Sequence, residues 1–298
     1  MSKQADVQTA TNIKRPKRKS QAKEIWRRMK KNRIAMVGLA IISIILLCTI
    51  LADVIVSYDY SLEQNMDLRY AAPSGDHWFG CDNYGRDIFA RVIHGTRNSL
   101  IMGIGAVVVG ILLGGFFGSI TGYFGGKLDT VIMRIMDVFN TIPFMLLALA
   151  IASALGPSLT NVLIALMISM VPYYTRVIRA SILNVVGQDF IEAGKACGTP
   201  TRFIILKHVL PNAIGPVIVH ATMSVGTMIL SASAMSFLGM GIQPPAPEWG
   251  SMLNEGKDYM LYAPHLVIFP GLAIVLTALS VNLMGDGLRD ALDPRLKD

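Results

Sequence analysis

The chain has 298 residues, of which 52% are hydrophobic and 16% charged, with a mean hydropathy of +0.49. Soluble domains carry about a quarter charged residues, so an ordinary globular core is excluded and a polytopic membrane protein is indicated. The net charge of +7 belongs to one end: residues 1–33 hold twelve of the 27 Lys and Arg against two of the 20 Asp and Glu, which leaves the rest of the chain net acidic. Lys and Arg just before a first span hold that end in the cytoplasm, and this reading is preferred to nucleic-acid binding.

A helix crosses the hydrocarbon with about 20 residues, and no other open structure can satisfy its backbone there. The apolar run 34–56 exceeds a signal-peptide core and is followed by no small-residue cleavage site, so it reads as a retained span. Further runs at 99–121, 131–154, 159–175, 212–238 and 264–285 complete an all-α membrane domain of six helices, over 34–298, behind a basic tail at 1–33. The fourth run is short and interrupted by Pro172. Six spans put both termini on one side. With that side cytoplasmic, the main external loops are 57–98 and 239–263, and 176–211 is cytoplasmic. Loop 176–211 carries Arg176, Arg179, Lys195, Arg202 and Lys207, whereas 239–263 carries Lys257 against Glu248, Glu255 and Asp258, which is the expected asymmetry. Loop 57–98 is mixed in charge and fits less cleanly.

In the second run, Gly110, Gly114, Gly118 and Gly122 recur every fourth residue, with Ala106 one step before. On a helix they form one stripe, and small residues let membrane helices approach closely. The stripe predicts either a static contact within the chain or a sliding or dimer interface. The third run opens with Arg134, Asp137, Asn140 and Pro143. A pairing of Arg134 with Asp137, three residues apart, is expected. Cys48, Cys81 and Cys197 show no paired spacing and read as structural or incidental.

Loop 176–211 is too patterned for a tether. Asp189-Phe190-Ile191-Glu192 reads as a capping box opening a short helix to about Cys197, which Gly198 stops. Thr199-Pro200 reads as the cap and first residue of a second helix. Lys207 and His208 suit its C-terminal end, and Pro211 is expected to break it before the fifth span. Two short helices about a glycine turn make a projecting elbow, read as a docking surface for a cytoplasmic partner and not as a DNA-binding helix-turn-helix.

Glu192-Ala193-Gly194-Lys195-Ala196-Cys197-Gly198, followed by His208-Val209-Leu210-Pro211, resembles the coupling loop of ABC-importer permeases. Gly194 departs from the alanine usual there; it weakens the helix slightly and suits close contact. Trp78-Phe79-Gly80-Cys81-Asp82, Tyr84-Gly85-Arg86-Asp87, Ser236-Phe237-Leu238-Gly239, Pro247-Glu248-Trp249-Gly250 and Gly285-Asp286-Gly287-Leu288-Arg289-Asp290, with Leu292-Asp293-Pro294, are similar to marks of the dipeptide, oligopeptide and nickel permeases. The order of spans resembles their second, C-type, subunit. The resemblance implies the type I importer permease fold in a bacterial inner membrane, and a second related permease beside this one. It further implies two ATPase subunits carrying ATP and Mg, and an external substrate-binding protein. No cofactor is expected on this chain. Asp189, Phe190, Glu192, Ala193, Gly194, Lys195, Gly198, His208, Leu210 and Pro211 are then the candidates for ATPase coupling. Gly85, Arg86, Asp87, Glu248 and Trp249 are candidates for docking the binding protein.

An enzyme is not expected. Gly125-Gly126-Lys127 fails as a phosphate loop, since Leu128 follows and Thr121 stands at the leading glycine. The histidines, His77, His94, His208, His220 and His265, are scattered, and no metal-ligand spacing or nucleophile motif occurs. His220, in the fifth span, is the only plausible intramembrane histidine, and hydrogen-bonded packing is favoured there over a substrate contact. The rivals are an ion-coupled secondary transporter, which wants mid-membrane carboxylates the spans lack, and a non-transporting membrane sensor.

Overall fold

The computed structural model describes residues 21–292, and every regular element among them is helical. Residues 1–20 of the predicted tail, and residues 293 and 294 of the terminal motif, lie outside the described region. The remainder of the tail is itself a helix, α1 (Gln21–Met29), followed by α2 (Arg33–Ile50), whose N-cap Asn32 accepts from Ala35 N. Next come α3 (Ile88–Phe124), α4 (Gly126–Asn140), α5 (Phe144–Leu155) and α6 (Leu159–Val186). Then follow α7 (Asp189–Ala196), α8 (Leu210–Phe237), α9 (Trp249–Gly256) and α10 (His265–Leu292).

Among the described residues five segments are long and apolar enough to cross a bilayer, and α4 and α5, bent by 83°, pass the same test only as a pair. Helices cover all six predicted runs, and their shapes differ from the prediction in three places. The second starts eleven residues earlier than its apolar run, at Ile88, because Asp87 caps it through Ala90 N (2.8 Å). The third is broken, since Pro143 cannot continue the helix through Thr141 and Ile142. The fourth is not interrupted: Pro172 lies inside a helix that runs on to Val186.

Odd and even crossings alternate, so two ends can be named. At the elbow end lie α1, the start of α2, the α3–α4 junction, α7 and the end of α10. Asn32 Nδ2 donates to Asp290 there (3.3 Å), and Met29, Ala35 and Ala291 bury one another. At the cap end, residues 57–87, α9 and the start of α10 form a lid over the bundle.

The centre of the bundle is α3 against α6. An added Cβ at Gly114 would lie 2.6 Å from Tyr174 Cβ and 2.8 Å from Thr175 N; at Gly118, 2.8 Å from Thr175 O; at Gly122, 2.9 Å from Ile182 Cβ; at Gly110, 3.0 Å from Met170 Cβ. The stripe is thus a contact within the chain, backbone against backbone over three helical turns. Around it Met102, Ala106, Leu166, Tyr174 and Ile182 are buried together with Val217, Met228 and Met235 of α8. By contrast, α2 is buried over only 17% of its span and shows Ile44, Leu47 and Ile50 outward.

Alanine at Gly114 has nowhere to put its methyl, because the obstacle is backbone and not a flexible side-chain end. Gly114→Ala should destabilise the solubilised chain by about 1–3 kcal/mol. Gly115→Ala, whose nearest neighbour is 3.5 Å away at the end of Ile178, should be neutral. Thermal unfolding in detergent checks the pair; equal midpoints would mean that α3 and α6 are not this close.

Candidate functional site

The elbow is built from local chemistry and held by the core. Asp189 and Glu192 occupy the first turn of α7 and Lys195 the last, each complementing the helix dipole. The predicted capping box does not form: Gln188 is the N-cap, no side chain caps the helix, and Asp189 is already its first residue. Gly198 does end the turn, at φ +72°, where a residue with a Cβ is strained. Its N–H donates to Lys195 O (3.0 Å), and Thr199 N donates to Gly194 O (3.1 Å). The second helix is displaced by one residue: Pro200, not Thr199, stands at its N-cap, and Thr201 begins it.

Pro211 does not break this second helix. Residues Ile204–Val209 form a π turn, in which Leu210 N reaches back to Ile205 O, and the chain continues into α8 with Pro211 in the first turn. The wider turn absorbs the missing proline donor, and Asn212 Nδ2 takes up His208 O at 2.6 Å.

One face of the elbow is rooted and the other free. Ile191, Ile204 and Val209 are buried in the same core cluster as Tyr174 and Ile182. The Lys195 ammonium lies 5.6 Å from the Tyr123 ring at the foot of α3. Outward stand Phe190, Glu192, Ala193, Cys197, Phe203, Leu206 and His208. Gly194 has open space where a Cβ would be, so no neighbour within the chain requires glycine there. Arg179 ties α6 to α4 through two bonds of 2.6 Å to Asp129. Asp137 pairs with Arg176 across the chain (2.7 Å), not with Arg134 as the spacing predicts; Arg134 points outward.

At the cap end, the residues singled out for docking are internal. Gly85, Arg86, Asp87, Glu248 and Trp249 are all buried, with Glu248 at 0% and Trp249 and Arg86 at 1% exposure. None offers a surface. Their polar atoms bind the cap to the bundle instead. Arg86 Nε donates to Asp82 (2.6 Å) and Arg86 Nη2 to Glu255 (3.0 Å), while Arg91 Nη2 also reaches Glu255 (2.9 Å). Glu248 accepts from Gly250 N (2.9 Å), Ser251 N (2.8 Å) and Ser99 Oγ (3.0 Å). Burial pushes its carboxyl above the usual carboxylate range, against the pull of the two backbone donors. Trp249 Nε1 donates to Val92 O (3.0 Å). Asp87 joins His77 Nδ1 at 2.8 Å, and Phe79 stacks on Phe269 at 4.0 Å. The sequence assigns no site role to Asp82, Arg91, Ser99 or Glu255; the spacing of Asp82 and Arg86 by four is the local signal.

The chain matches known proteins over most of its length. A family model described as binding-protein-dependent transport system inner membrane component matches residues 106–298. Another, described as the N-terminal TM domain of oligopeptide transport permease C, matches residues 20–73. The dipeptide transport system permease protein of Alkalihalophilus pseudofirmus is 46% identical over 275 residues, covering 92% of this chain and 90% of that one. The glutathione transport system permease protein of Escherichia coli is 43% identical over 274 residues, with the same coverage. Among solved structures, the MetNI methionine ABC transporter in an inward-facing conformation overlays with a TM-score of 0.57 at 20% identity, over 69% of this chain and 98% of that one. That likeness shows the fold.

The cap cluster is testable through Cys81, which is fully buried and whose thiol is pushed up to about 11 by burial and by Asp87 and Asp82. Glu255→Ala leaves two buried guanidiniums to share Asp82 as their one carboxylate, a loss of about 3–5 kcal/mol. Maleimide labelling of Cys81 should then accelerate by at least about 100-fold where cap opening limits the reaction. A wild-type labelling rate would show that Glu255 does not hold the cap.

Proposed function

The chain belongs to the family of binding-protein-dependent transport inner membrane components, the permease subunits of ABC importers, and from that premise we propose that it carries peptides or a related small solute across the inner membrane. The support for that substrate class is the naming of two relatives, one for dipeptides and one for glutathione. Selection among solutes rests with a separate binding protein. ATP hydrolysis belongs to separate subunits.

The elbow is the seat of an ATPase. What carries this reading is its two-sidedness: Ile191 and Ile204 are rooted in the α3–α6–α8 core, while Phe190, Glu192, Phe203 and Leu206 stand free. Aromatic and leucine side chains left bare at a helix end, rimmed by charge, have the composition of a docking patch. A push on α7 is delivered to α6 and α8 through buried side chains and not through a slack loop. ATP binding biases the inward–outward equilibrium only through differential contact with the two states, and the elbow is where that contact is made. On this reading α1 and both termini lie in the cytoplasm, and the cap lies outside. A second related permease completes the path, with two ATPases below and a binding protein above. Since the five residues that sequence suggests for binding-protein docking are internal, that contact falls to exposed cap side chains such as Trp78, Tyr84 and the tip Met260–Leu261–Tyr262.

Co-expression with the neighbouring subunits tests the seat directly. Glu192→Ala should leave the chain in the membrane but reduce recovery of the ATPases with it, or uncouple their hydrolysis from transport. Cys197, exposed beside Gly198, should react with maleimide in the isolated chain and be protected at least about tenfold in the assembly, the size of effect expected for a buried interface position. Undiminished labelling of Cys197 in an assembly that hydrolyses ATP would place the seat elsewhere.

A further inference from the structure

Most outward faces of the bundle suit lipid. On α3 they are Ile104, Val108, Leu112 and Phe116, and on α10 Ile268, Leu272, Val275 and Leu279. The junction of α6, α8 and the elbow end of α10 differs. A cleft of about 280 Å³ opens there, lined by Tyr173, His220, Ser224, Thr227 and Arg289, with Val219 and Met223 as its apolar floor. His220 lies about 15 Å, and Thr227 about 25 Å, along α8 from its elbow end, so a hydrocarbon core about 30 Å thick counted from that end spans both.

Polar side chains at that depth are stable only against protein or water, since facing lipid costs them several kcal/mol. Tyr173 Oη and His220 Nδ1 satisfy each other at 3.0 Å, yet both residues remain outward-facing, and one imidazole nitrogen is left over. Arg289 is exposed and forms no ion pair among the described residues. Among the described residues, the lining contains a guanidinium, an imidazole and three hydroxyls, and no carboxylate. One helical turn from Tyr173 on α6, Arg176 continues the polar surface toward the elbow, its charge already matched by Asp137.

We propose that this cleft is a solute-contact point on the wall of the conduction path, and that Arg289 with His220 makes it favour the anionic end of a solute, such as a carboxylate. The inference rests on the reading of the chain as an importer permease and adds to it a location and a charge preference. A guanidinium and a neighbouring imidazole supply donors to both oxygens of a carboxylate, while the hydroxyls of Ser224 and Thr227 and the floor of Met223 suit peptide groups without selecting among side chains. A single cation near the elbow end gives an acidic group a resting place without enclosing it, as release requires.

The test uses the complete importer in lipid nanodiscs, in a background where Cys48, Cys81 and Cys197 are replaced by serine or alanine. The Thr227→Cys variant is exposed to two methanethiosulfonate reagents of similar size, one bearing a sulfonate and one a trimethylammonium, with and without ATP. Met223→Cys serves as a second position in the same cleft, and Leu261→Cys on the cap, 92% exposed, as a control. The expected result is modification of the Thr227→Cys thiol from water, faster with the sulfonate reagent. Adding Arg289→Gln should lower the sulfonate-to-ammonium rate ratio by at least about threefold, the effect of one nearby charge partly screened by water. If the Thr227→Cys and Met223→Cys variants stay unreactive in both nucleotide conditions while Leu261→Cys reacts, the face is packed against a partner and the proposal fails. A ratio unchanged by Arg289→Gln overturns the charge preference. Recovery of ATPases and their hydrolysis, measured on the same preparation, reports on the importer reading separately, so the two failures are distinguishable.

Discussion

The contact on which the rest of the molecule depends is the direct approach of α3 and α6 along four glycines. Apolar side chains gain little by leaving lipid for one another, so membrane helices are held by van der Waals fit and by the polar bonds that fit permits. Removing every Cβ along Gly110, Gly114, Gly118 and Gly122 lets Tyr174, Thr175 and Ile182 lie on bare backbone. With that distance fixed, Asp129 at the start of α4 comes within reach of Arg179, and the foot of α3 comes beneath Lys195 of the elbow. The helix pair acts as a rigid beam, and the elbow is rooted at its end.

The two ends of the beam are finished in different ways. The cap end is closed by buried charge: two guanidiniums and two carboxylates from residues 82, 86, 91 and 255 pair with one another, with Arg91 Nε left without a hydrogen-bond partner. Such a cluster costs desolvation that its attraction only partly offsets, so its gain is one of geometry more than of stability. It admits one arrangement of the lid and no sliding. The elbow end is finished with apolar roots and a bare outer face, and no charged side chain among the described residues is buried there. A structure that is to be moved by a partner from one side needs this inequality between its ends.

The glycine stripe, the number of spans and the existence of two short helices between α6 and α8 are legible in the sequence because each follows from local periodicity or from a residue with a single conformational role. Gly198 is the clearest case, its positive φ being readable from its place after a helical run. Partnership at a distance is not legible in the same way. Asp137 finds Arg176 and leaves Arg134, because the broken third span turns it toward α6. The start of α3 is hidden because residues 88–98 carry Arg91, His94, Arg97 and Asn98, which look like a polar loop until their acceptors, on segments near residues 50 and 250, are seen. Glu248 and Trp249 mislead for the same reason. An acid beside a tryptophan reads alike whether it greets another protein or caps a buried helix, and only the neighbouring Ser99 hydroxyl and Val92 carbonyl decide it.

The π turn at Ile204–Val209 bears on how the two sides of the membrane are phased. A turn that closes over five residues holds about one residue more than an α turn, and one residue is about 100° of rotation along everything that follows. The azimuth of His220 and Thr227 relative to Tyr173 is therefore set at the elbow, where the π turn ends at Val209, and not by α8 itself. Tightening that turn into a regular α-helix would swing the hydroxyls and the imidazole away from α6. The mouth and the wall of the path are indexed to each other by a single surplus residue, and a family alignment that closed the gap there would assign lipid-facing and path-facing positions the wrong way round.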